Sequence, residues 1–74
     1  MSFDAIAVND LVRILAAGAA LELNAQGRQV NDLVRLAAAS SKGGGLTLTG
    51  VGGLPTNDLV RLGAAGGGKV TLKW

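Results

Sequence analysis

Asn31-Asp32-Leu33-Val34-Arg35-Leu36-Ala37-Ala38-Ala39-Ser40-Ser41-Lys42-Gly43-Gly44-Gly45-Leu46-Thr47-Leu48-Thr49 holds a helix, a stop and a strand in one continuous run. Leu33, Leu36 and Ala37 fall at i, i+3 and i+4, the spacing of a buried helical stripe. Arg35 then lies on the opposite face, in water. Asn31 reads as an N-cap, and Asp32 beside it places negative charge at the positive end of the helix dipole. The small residues from 40 to 45 end the helix, because glycine supplies the left-handed cap and cannot propagate a helix. Leu46-Thr47-Leu48-Thr49 alternates with period two and predicts a half-buried strand.

The opening pentapeptide of that run, Asn-Asp-Leu-Val-Arg, occurs three times, at residues 9–13, 31–35 and 57–61, so the copies start 22 and 26 residues apart. That distance accommodates one helix and one strand. Recurrence of this kind predicts one structural unit stacked on itself. The helical stripe is Leu11, Ile14 and Leu15 in the first copy and Leu59, Leu62 and Gly63 in the third. Leu21-Glu22-Leu23-Asn24 and Val70-Thr71-Leu72-Lys73 are the corresponding strands. Residues 3–7 offer an opening strand by analogy, with poorer alternation. Successive parallel strands joined by helices make right-handed crossovers. The expected fold is therefore α/β, a miniature right-handed β-α repeat solenoid. It has a parallel sheet of three to four strands and three helices on one face. Strands stack about 4.8 Å apart while helices need about 8–10 Å, which predicts an arc with the helices outside. The chain of 74 residues reads as a single domain of three repeats, about 3–25, 26–50 and 51–74.

With its Leu46-Thr47-Leu48 strand core, this pattern resembles a leucine-rich-repeat solenoid over most of the chain. Those repeats carry an asparagine ladder at fixed spacing after the strand. Here Asn31 follows Leu23 by 8 residues and Asn57 follows Leu48 by 9. The resemblance implies an architecture and no particular activity.

Composition bounds the chemistry. Hydrophobic residues make up 49% of the chain, yet only Phe3 and Trp74 are aromatic, so the core is aliphatic. Twelve glycines add unfolded-state entropy to a core near the lower limit for independent stability, which favours association. With no cysteine and no histidine, disulfides, thiolate metal sites and the commonest general base are excluded. Ser40 and Ser41 have no base to activate them, and the carboxylates are isolated. The expectation is a non-enzymatic protein without metal or cofactor. No charged segment precedes an apolar one in the manner of a signal peptide, and residues 5–21 are interrupted by Asp10 and Arg13. The expectation is a cytoplasmic protein that does not engage a membrane.

Residues 63–69, Gly-Ala-Ala-Gly-Gly-Gly-Lys, fit the G-x-x-x-x-G-K phosphate loop. A phosphate loop follows a strand and opens a helix; this one follows a helix and opens a strand, so it reads as a connector. Arg13, Arg35 and Arg61 form a row beside Asp10, Asp32 and Asp58. Each Asp is expected to pair with its own Arg at i+3, which weakens the field a polyanion feels and disfavours nucleic acid. Thr47, Thr49, Thr71 and Lys73 fall on the outward face of the strands, the surface that solenoids use for partners. Two functions follow. The first is a structural or self-associating protein-interaction module, with a second copy or another protein as partner. The second is a binding module for an acidic partner or nucleic acid through the Arg row or the Thr-rich face. Strand alternation also aligns Trp74 with Gly50 and Ala25. This predicts a buried indole closing the C-terminal end of the core beneath Gly63.

Overall fold

The computed structural model describes residues 6–74. Helix α1 spans Val8–Ala16, α2 spans Val30–Ser40 and α3 spans Thr56–Gly66. Strands β1 (Leu21–Asn24), β2 (Leu46–Thr49) and β3 (Val70–Leu72) alternate with them. The strands form one parallel sheet in the order β1-β2-β3. The described residues thus form an α/β fold, with three helices and a three-stranded parallel sheet. Of the expected opening strand at residues 3–7, residues 3–5 lie outside the described residues, and Ile6 and Ala7 belong to no strand.

The register places like residues side by side. Leu21 pairs with Leu46 and Leu46 with Val70; Leu23 pairs with Leu48 and Leu48 with Leu72. The inward leucines of β1 and β2 join Leu11, Leu15, Leu33, Leu36, Ala37 and Leu62 from the helices in one core. All three stripe residues of α2 are completely buried, because α2 is flanked by α1 and α3. Ser40 is the single buried polar side chain among the described residues, and it is satisfied within its own helix by donating to the Ala37 carbonyl at 2.7 Å.

The helix starts differ from expectation. Ala7, Gln29 and Pro55 occupy the N-cap positions, and none provides a side-chain cap. Asn9, Asn31 and Asn57 therefore sit inside the first turn, and Asn31 is no cap. Asp10, Asp32 and Asp58 do lie in the first turns, where negative charge opposes the helix dipole.

The glycine stretch after α2 has a steric reason beyond helix termination. A Cβ on Gly43 would collide with the Leu15 carbonyl oxygen, and one on Gly44 with the Gly18 carbonyl oxygen. Backbone lies on backbone here, which brings the end of α2 down onto the end of α1. Gly67, at φ +57°, ends α3 in the left-handed conformation.

Trp74 corrects an expectation. The indole is 82% exposed instead of closing the core. Its place is taken by Val51, the first residue of a 3-10 turn (Val51–Gly53) after β2, which is buried. Gly63 does not roof a space in the core either: the residue is exposed, and an added Cβ there would point into open surroundings with nothing within 4 Å. Trp74 lies instead over Gly52, where an added Cβ would stand 3.2 Å from the indole Cε3.

Candidate functional site

The pentapeptide lies on the first two turns of each helix and places Asn, Asp and Arg on neighbouring turns. Arg35 Nη1 stands 4.0 Å from Asp32 Oδ1, and Arg61 Nη1 stands 3.7 Å from Asp58 Oδ1. Both guanidinium groups also reach the preceding helix. Arg35 Nη2 donates to Asn9 Oδ1 at 2.7 Å, and Arg61 Nη2 donates to Asn31 Oδ1 at 3.5 Å. Two of the three arginines, Arg35 and Arg61, are thus tied into a ladder running between helices. Among the described residues, Arg13 makes no ion pair with Asp10 and no such hydrogen bond, and Asn57 receives no arginine.

The outward strand positions also align. Glu22 is level with Thr47 and Thr47 with Thr71; Asn24 is level with Thr49. Thr49 Oγ1 donates to the Leu23 carbonyl at 3.3 Å, across the pair of strands. Glu22, Thr47 and Thr71 edge a shallow depression of about 330 Å³ that Lys69 also lines. Lys69 follows α3 and immediately precedes β3, in the connector position expected for it. Its ammonium donates to the Gly43 carbonyl at 2.8 Å. Lys73 lies just past β3, and its backbone N–H donates to the Leu48 carbonyl at 2.8 Å. The Arg row and the Thr face are separate surfaces: one on the helices, the other on the far side of the sheet.

A third feature was not anticipated from the sequence. Residues at equivalent positions of the three pentapeptide-bearing helices differ in exposure according to the helix they lie on. Leu11 and Leu33 are completely buried, whereas Leu59 is only partly buried; Leu15 and Ala37 are buried, whereas Gly63 is exposed. These positions lose cover on α3. The opposite trend marks two positions that are better covered on α2 and α3 than on α1. Leu36 and Leu62 are completely buried while Ile14 is partly exposed, and Ala39 and Ala65 are partly buried while Ala17 is exposed. The described residues thus end in two unlike faces, one on α1 and one on α3 and β3. The second holds a shallow apolar cavity of about 300 Å³ between Val51, Leu59, Leu72 and Trp74.

Among the described residues no group of three or more His, Cys, Asp or Glu side chains is arranged to hold a metal ion, and no helix is long and apolar enough to cross a membrane. Fold and surface together define an α/β chain in which Arg35, Arg61 and Lys69 are bonded to neighbouring parts of the same chain. No family model, curated protein or solved structure matches it.

Proposed function

We propose that this protein is a structural, self-associating module: a miniature α/β solenoid of three units that works without catalysis. The observation that carries the reading is where the apolar surface lies. Among the described residues, the large hydrophobic side chains left exposed are Val60 at 63%, Leu72 at 36% and Trp74 at 82%, all from the third copy. Leu72 and Trp74 line one shallow apolar depression with Val51 and Leu59, and apolar exposure of this kind marks an interaction surface. A core assembled from 74 residues has little stability in reserve, so burying these groups in an assembly also supports folding. The test is molar mass by light scattering across a concentration series. Mass should rise above that of the monomer with concentration and without added ligand; a monomer over the whole range would overturn the reading.

The alternative is a module that binds an acidic partner or nucleic acid. It has less support, because Arg35 and Arg61 each hold an aspartate and an asparagine of this chain. Aromatic platforms for stacking bases are also scarce. Saturable, steeply salt-dependent binding of single-stranded oligonucleotide by the native protein would favour it.

A further inference from the structure

We infer that the partner is a second copy of this chain, docked head to tail, so that α1 of one copy continues the helix row beyond α3 of the other. This rests on the self-association proposed above and specifies its geometry. The interface already exists twice within the chain, between α1 and α2 and between α2 and α3. Each time, the Arg of the later helix donates to the Asn of the earlier one. The later copy also buries a large aliphatic residue, Leu36 or Leu62.

The end faces carry the two halves of this same contact. On α1, Arg13 has no asparagine to reach, and Ile14 is partly exposed where its counterparts Leu36 and Leu62 are completely buried. On α3, Asn57 has no arginine, and Leu59 is partly exposed where Leu11 and Leu33 are completely buried. Arg13 of one copy then donates to Asn57 of the next, and Ile14 packs beside Leu59. Gly63, with open space around its Cα, offers no obstacle to the incoming helix. The sheet is continuous in the same sense. All pairings are parallel, and among the described residues the order β1-β2-β3 leaves the outer edges of β1 and β3 unpaired and running in the same direction. The strand edge of one copy therefore extends the sheet of the other, covering Leu72 and the indole of Trp74. Such a contact joins unlike faces, so it propagates into rings or filaments and does not close as a two-fold dimer.

Two single variants separate this geometry from other modes of association. Ala17→Glu places a charge on the α1 face, and Gly63→Glu places one on the α3 face. Both positions are exposed, so each variant should keep the native far-UV circular dichroism. Each alone should be a monomer at concentrations where the native chain associates. Mixed in equal amounts, they should recover one interface per pair and give a heterodimer of twice the monomer mass. Should either variant lose its fold, Trp74 emission of the native chain decides the matter. It should shift to shorter wavelength with concentration in step with mass, and a fixed emission while mass rises overturns the inference. A mixture that stays monomeric, or a single variant that assembles like the native chain, also overturns the head-to-tail contact and leaves self-association standing. A native chain that is monomeric throughout overturns both.

Discussion

Arg35 on α2 spans the gap to α1 and donates its Nη2 to Asn9 Oδ1 at 2.7 Å, while its Nη1 stands 4.0 Å from Asp32 on its own helix. The relationship accounts for the motif being repeated whole. Asn serves the helix that follows, Arg serves the helix that precedes, and Asp orients the Arg. Leu11, Leu33 and Leu59 pack inward from the middle of the same five residues.

Both members of the Arg35–Asn9 pair are exposed, so the contact sets helix register more than it adds stability. A double-mutant cycle on Asn9→Ala and Arg35→Met should give a coupling of about 0.5 kcal/mol, in the range of surface pairs. Chemical denaturation of the four proteins measures it. A coupling indistinguishable from zero means the ladder is incidental to the packing of leucines beneath it.

Leu36 is completely buried in the middle helix and belongs to a core shared by all three helices and all three strands. Leu36→Ala should cost about 2–5 kcal/mol, a large part of what a domain of this size possesses. Helical circular dichroism should vanish in one step across the whole chain. Retention of two-thirds of the helical signal would show that the outer helices hold without the middle one.

The strands were legible because their signal is local. Leu21-Glu22-Leu23-Asn24 and Leu46-Thr47-Leu48-Thr49 alternate cleanly, small residues precede each, and both strands have the expected bounds. Helix existence was equally plain, but the role of asparagine was not. At the start of a helical stripe it has the composition of a cap, and its actual partner lies on a neighbouring helix, 26 residues away for Asn9 and 30 for Asn31. Only the packing of α1 against α2 reveals that. Trp74 misled for a related reason. Its alternation with Val70 and Leu72 is present in the sequence, but β3 ends at Leu72, and Val51 reaches the core through a 3-10 turn that carries no periodic signal. The exposure gradient is likewise not legible from Leu11, Leu33 and Leu59, which are the same residue in the same motif and differ in exposure.

Gly43 and Gly63 should respond in opposite ways to alanine. At Gly43 the new methyl group would strike the Leu15 backbone carbonyl, which no rotamer change can relieve. Gly43→Ala should therefore destabilise the protein by about 1–3 kcal/mol, the range for overpacking. At Gly63, inside α3, nothing lies within reach. Gly63→Ala should stabilise by about 0.5–1 kcal/mol through helix propensity alone. Thermal denaturation compares them, and equal signs would contradict the backbone contact between the ends of α1 and α2.

Trp74 gives the most direct optical test of the C-terminal end of the fold. With 82% of its surface exposed, the indole of dilute, monomeric protein should emit near the wavelength of free indole in water. It should also be open to a neutral quencher such as acrylamide. Because Val51 fills the core position beside it, Trp74→Ala removes surface contacts with the Gly52 turn and leaves no internal cavity. The expected loss is about 0.5 kcal/mol, typical of a surface substitution, with the helical circular dichroism unchanged. A blue-shifted, quencher-protected native emission at the lowest measurable concentration, together with a loss above about 3 kcal/mol in the range of a buried aromatic, would place the indole inside the core and Val51 outside it.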